Sequence, residues 1–126
     1  MSITKWDQNL QLTKKVTSDL DSIYDKKRSL REMETEVTQQ FDAMKYQLSE
    51  LAYLDLSVKD HEDLEELLNG YRIGERDFFQ ECEEAEHRLY QEENRLLAEQ
   101  DQLYFERQEL IHDEKNDGSG GRVING

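Results

Sequence analysis

Apolar residues return along the first half of the chain in a strict four–three rhythm: Val16, Leu20, Ile23, Lys27, Leu30, Glu34, Val37, Phe41, Met44, Leu48 and Leu51. Nine of these eleven in-phase positions are apolar, the signature of an amphipathic helix that buries a single stripe. Ile3, Trp6, Leu10 and Thr13 extend the stripe towards the N-terminus with a small phase slip, and Thr4 followed by Asp7 has the form of a capping box. The pattern predicts one helix from about residue 3 to about residue 54.

The run Asp55-Leu56-Ser57-Val58-Lys59 breaks the rhythm and predicts a turn at about 55–59. Ser57, with Asp60 three residues on, reads as the N-cap of a second helix. That helix is expected over about 59–115, through Leu64, Leu67, Tyr71, Phe78, Cys82 and Ala85. Its weak points are Gly70 and Gly74, each costing about 1 kcal/mol relative to alanine inside a helix. Asn69-Gly70 can alternatively end a short helix, which would give three segments instead of two.

Beyond residue 88 the apolar positions double. Leu89/Tyr90, Leu96/Leu97, Leu103/Tyr104 and Leu110/Ile111 recur every seven residues. Neighbouring positions on a helix lie about 100° apart, so one member of each pair enters a seam while the other faces elsewhere. Two helices bury one stripe each, which leaves Tyr90, Leu97, Tyr104 and Ile111 without a neighbour inside the chain. These four are the candidate partner-binding residues. A helix of another protein, or a second copy completing a four-helix bundle, would cover them.

The expected fold is all-α, an elongated antiparallel two-helix hairpin of coiled-coil character. A turn centred near Ser57 pairs residues whose numbers sum to about 115. In that register Leu51 meets Leu64, Leu48 meets Leu67, Met44 meets Tyr71, Val37 meets Phe78, Leu30 meets Ala85, Leu20 meets Leu96 and Trp6 meets Leu110. Phe41 falls opposite Gly74, where a missing side chain makes room for a large one. The basic cluster Lys26, Lys27, Arg28 and Arg31 falls beside Glu83, Glu84 and Glu86, with Asp19/Asp21 near Arg95, Asp42 near Arg72 and Asp7 near Arg107.

Composition supports an elongated helical protein: 37% of residues are charged and only 35% hydrophobic, little core material for a globular fold of 126 residues. There is no proline, and all six glycines lie at or after Gly70. The net charge of −14 argues against nucleic-acid and anionic-membrane partners. It is unevenly spread, with nine Lys/Arg against ten Asp/Glu in residues 1–59 and seven against twenty in 60–126. Residues 116–126 have linker composition and are expected to be disordered. The opening MSITKWDQNL lacks an apolar h-region, and no stretch approaches the ~18 apolar residues of a membrane span. A cytoplasmic protein is expected, with any export following a leaderless route.

Catalytic and metal chemistry find little support. Glu84/His87 and Glu109/His112 have the Glu-x-x-His spacing of di-iron bundles, but they sit on one helix about 37 Å apart, each histidine pointing away from the seam. The expected reading is solvated surface, with no metal and no cofactor; His61 is read as a first-turn surface residue. The single Cys82 excludes an internal disulfide, fits a reducing compartment and reads as a small apolar filler. With no phosphate loop, CxxC pair or nucleophile–histidine arrangement, the chain is not expected to be an enzyme.

A leaderless, acidic helical hairpin with a surplus apolar face resembles the small WXG-type hairpins of type VII secretion. It resembles more closely the small α-helical partners associated with LXG effectors of type VIIb systems. The resemblance covers residues 1–115 in architecture and length. The Trp-x-Gly turn of WXG proteins is missing, since the only tryptophan, Trp6, opens the first helix. Those families carry an aromatic-x-x-x-acid export signal near the end of the second helix. Phe105/Glu109 matches it by position, while Tyr71/Glu75, Tyr46/Glu50 and Phe79/Glu83 match by spacing. The resemblance implies a targeting partner or chaperone for the helical N-terminal domain of an LXG-type toxin. A homo-oligomeric cytoplasmic coiled-coil scaffold is the alternative, and an acidic nucleic-acid mimic or antitoxin a third reading.

Overall fold

The computed structural model describes the backbone of residues 4–125 and the side chains of residues 4–115. It is all-α, with two long helices, α1 (Lys5–Leu51) and α2 (Val58–Asn125), packed against each other as a hairpin. Both helix starts are capped as their sequences predict. The Asp7 amide donates to Thr4 Oγ1 at 3.1 Å while the Thr4 hydroxyl donates to Asp7 Oδ2 at 2.8 Å. At α2 the Asp60 amide donates to Ser57 Oγ at 3.1 Å. Each cap satisfies an amide that the first helical turn leaves without a partner.

α1 stops at Leu51, three residues earlier than expected, because its last turn tightens. The amides of Ala52, Tyr53 and Leu54 donate to carbonyls three residues back, at 3.1, 3.2 and 3.1 Å, a narrower winding that ends a helix. α2 passes through Gly70 and Gly74 without interruption, and no described glycine has positive φ. Two helices form, not three. The backbone of α2 also stays helical to Asn125, past residue 115 where composition predicts a disordered tail. Ile3, expected to begin the stripe, lies outside the described residues.

Contacts divide the hairpin into two compact units, Met1–Tyr24 with Tyr90–Gly126 and Asp25–Leu89. In the first, Val16, Leu20, Ile23, Leu96 and Leu103 are buried, joined by one polar residue, Asn9. Asn9 Nδ2 donates to the Leu103 carbonyl at 2.9 Å, fixing the register of the two helices here. The phase slip of the sequence is thereby explained: the seam runs through Asn9, Thr13 and Val16. Trp6, expected against Leu110, is instead 40% exposed.

In the second unit Leu64 and Cys82 are buried, and the Phe41 ring lies between Tyr71 and Phe78, 6.4 Å from each by centroid. A Cβ placed on Gly74 would lie 3.9 Å from Phe41 Cε1 and Cζ, so the expected Phe41–Gly74 juxtaposition is present. Nearer the turn the seam departs from the expected residues. Met44, Leu51 and Leu67 are exposed, whereas Lys45 and Leu68 are half-buried; Leu48 keeps its expected half-buried place. Lys45 keeps its seam position because its Nζ reaches Glu75 Oε2 at 2.8 Å while the aliphatic stem packs.

Three residues of the expected cross-helix charge pairs have local partners instead. Arg28 approaches Asp25 at 3.9 Å, Asp42 approaches Lys45 at 3.6 Å, and Asp7 caps its own helix. Exposed pairs gain about 0–1 kcal/mol wherever they form, and a partner one turn away on the same helix is already in reach. Asp19 does act on Arg95 across the helices, though Glu92 is the main influence holding that guanidinium protonated. No helix among the described residues is long and apolar enough to cross a membrane.

Candidate partner-binding face

The doubled apolar positions of α2 separate as helical geometry requires. Leu96 and Leu103 are 1% and 4% exposed, whereas Leu97, Tyr104 and Tyr90 are 37%, 51% and 57% exposed. Leu110 and Ile111 are both half-buried, so the last pair shares the seam instead of dividing across it. Three of the four candidate residues thus lie open on one flank of the first unit, and Ile111 closes the stripe at its edge.

Tyr104 is the centre of a small cluster. Its ring meets that of Phe105 edge-on at 5.9 Å between centroids, and the Arg107 guanidinium sits 6.0 Å from its centroid. A cation over an aromatic face contributes about 0.5–1 kcal/mol where exposed. Phe105 is 61% exposed and Glu109 is exposed one turn on, so the candidate export pair shares a solvent-facing side. Tyr46 and Glu50 are likewise exposed, whereas Tyr71, Glu75 and Phe79 are half-buried and Glu83 is exposed.

α1 contributes residues that the sequence pattern did not assign to this face. Lys5, Gln8 and Leu12 line a polar groove of about 400 Å³ with Glu106, Glu109 and Asp113 on one flank of the unit. Trp6 and Tyr24 are both turned about 120° from Leu12 around α1, towards the opposite flank, where Leu97 and Tyr104 lie. They are 40% and 45% exposed. In the register of the Asn9–Leu103 bond, Tyr24 comes level with Tyr90, and Trp6 with the turn between Tyr104 and Ile111. The face is therefore built from both helices. Trp6 was hidden by its apparent place in the seam stripe, and Tyr24 by standing alone among polar neighbours.

Among the described residues sixteen large hydrophobic side chains are exposed against seven hydrophobic ones buried, a balance that two helices cannot correct by themselves. Covering Tyr90, Leu97, Tyr104, Trp6 and Tyr24, each already about half buried, would add about 1 kcal/mol apiece. Specificity must then come from shape and from the flanking charges.

Other candidates are placed apart from this face. Glu84, His87, Glu109 and His112 are exposed, as is His61, and no group of three His, Cys, Asp or Glu among the described residues is arranged to hold a metal ion. Cys82 is buried, and burial, then the neighbouring Glu34, push its thiol up from the ordinary value, which favours the packing role. Glu34 occupies a seam position beside it. A hydrogen bond shared with Glu86, then burial, raise the Glu34 carboxyl above its usual range.

Comparison of the chain with protein-family models, with curated proteins and with solved structures finds no match.

Proposed function

We propose that the chain is a non-enzymatic targeting partner that binds the helical N-terminal domain of an LXG-type toxin for type VII secretion. The observation that carries the binding role is the contrast between Leu96 and Leu103, sealed in the seam, and Leu97 and Tyr104, one position on and open. A helix laid along Tyr90, Leu97, Tyr104 and Ile111 would complete a larger bundle by helix-in-groove association. The toxin as partner rests on the resemblance of a small acidic hairpin with a surplus face to LXG-associated proteins, and Phe105/Glu109 would serve as the export signal. The alternative, a homo-oligomeric scaffold, would bring together two copies of a helix half that carries most of the −14 charge, so like-charge repulsion weighs against it.

Light scattering on the purified chain, alone and mixed with an LXG N-terminal domain, separates the two readings. A monomer that forms a one-to-one complex supports the targeting role. A stable dimer that ignores the added domain overturns it in favour of the scaffold.

A further inference from the structure

Gly70 and Gly74 stand one turn apart on α2, and only one of them is explained within the chain. A Cβ at Gly74 would touch the Phe41 ring, whereas a Cβ at Gly70 would meet nothing within 4 Å. A glycine in a helix interior is unfavourable, so a position with open space around it gives the hairpin no reason of its own to lack a side chain. Gly70 borders a groove of about 670 Å³ lined by Phe41, Leu67, Tyr71 and Gly74, with Asp63 and Glu66 along its edge. Its floor is apolar and accessible, Leu67 being 54% exposed.

The edge is strongly acidic. Residues 60–71 contain Asp60, Glu62, Asp63, Glu65 and Glu66 and no Lys or Arg. The helix macrodipole accounts for Asp60 in the first turn, but its influence fades beyond that turn and leaves Glu65 and Glu66 unexplained. We propose that this groove is a second docking site, which takes a basic amphipathic helix of a partner protein. An apolar side chain of that helix seats over Gly70 against Leu67, Tyr71 and Phe41, where the missing Cβ permits close backbone approach. Lysines or arginines one turn to either side meet Asp63 and Glu66. A second copy of α2 would set acid against acid and is disfavoured as the occupant. The site belongs to the unit formed by Asp25–Leu89 and does not depend on the face that carries Tyr104.

The test uses the full chain and a synthetic 14-residue amphipathic helix of leucines and lysines, with a counterpart in which glutamates replace the lysines. Amide shifts followed by NMR should move at residues 63–74 for the lysine peptide, and the glutamate peptide should not bind. Gly70→Leu, which fills open space and leaves the charge unchanged, should weaken binding at least tenfold. The paired change Asp63→Lys/Glu66→Lys should do the same and transfer preference to the glutamate peptide. Should Gly70→Leu lose helicity, the residue-resolved shifts and the charge-reversed pair still decide the matter. Shifts spread along α2 or centred on Leu97 and Tyr104 would overturn the proposal, as would Gly70→Leu binding like wild type. Concentration-dependent shifts at Gly70 without peptide would identify a second copy as the occupant and overturn it equally.

Discussion

Replacing Asn9 with leucine should make the hairpin more stable and less exact in register. Asn9 is 3% exposed, and its side chain is incompletely satisfied where it lies. One Nδ2 hydrogen reaches the Leu103 carbonyl at 2.9 Å. The Thr13 hydroxyl has one hydrogen, donated to the Asn9 backbone carbonyl at 2.8 Å, which leaves the 3.4 Å approach to Asn9 Oδ1 weak. The single good bond contributes about 0.5–1.5 kcal/mol net, whereas a buried leucine contributes about 1.5–3 kcal/mol. The Leu103 carbonyl faces its own helix as well and is not orphaned by the change. Asn9→Leu should therefore gain about 1 kcal/mol, or about 3–5 °C in melting temperature for a chain of this size. Asn9→Ala should lose a similar amount. Register should suffer with leucine, as when a seam asparagine is removed from a coiled coil. Spin labels on exposed Lys14→Cys and Ala98→Cys, diluted with unlabelled chain, should give a broader distance distribution in the Asn9→Leu background; buried Cys82 stays unlabelled. If Asn9→Leu instead melts below wild type, as alanine does, the hydrogen bond outweighs apolar burial at this position.

Other expectations concern the seam and its charges. Leu96→Ala should cost about 2–3 kcal/mol and Leu97→Ala under about 1 kcal/mol, read from urea midpoints; equal costs would erase the distinction between the two faces of α2. Gly74→Ala should raise the melting temperature, since its Cβ finds ordinary contact with Phe41 at 3.9 Å and gains about 1 kcal/mol of helix propensity. Gly74→Leu should fall below alanine by overpacking the same ring, and a leucine variant that melts higher than alanine would show that the ring does not limit the site. Glu34 has a folded-state pKa above its ordinary value of 4.5, chiefly through Glu86, with Cys82 and then Arg31 opposing. Its stabilising contribution is thus present below that value and lost as pH rises through the shifted one. Glu34→Gln should narrow the gap between melting temperatures at pH 5 and pH 7.5, and an unchanged gap would place the titration elsewhere.

Long-period features were legible in the sequence. Heptad spacing identified both helices, Thr4 and Ser57 identified their starts, and Phe41 opposite Gly74 identified the register. What escaped were positions where chemistry and place disagree. Asn9 and Lys45 are polar residues in the seam, so a search for apolar stripes steps around them to Trp6 and Met44. Leu67 and Leu68 are adjacent and chemically equal, and only packing shows which one enters the seam. The candidate face was legible as surplus area on α2, because an apolar residue follows each heptad leucine: Tyr90 after Leu89, Leu97 after Leu96 and Tyr104 after Leu103. Its extension onto α1 was not, because the isolated Tyr24 forms no period. Apolar area is non-directional, so the pattern marks a face without specifying the helix that covers it, and the toxin partner enters only through resemblance.

On the proposed function, α2 presents two apolar faces with separate tasks, one for the hairpin and one for a partner. Sedimentation velocity of the Leu97→Gln/Tyr104→Gln variant with an LXG N-terminal domain, alongside its circular dichroism, tests this most directly. Helicity and melting should stay close to wild type, because both residues are exposed in the free hairpin, and the complex that wild type forms should be lost. A variant that still binds as wild type, or one that unfolds as Leu96→Gln does, would contradict it.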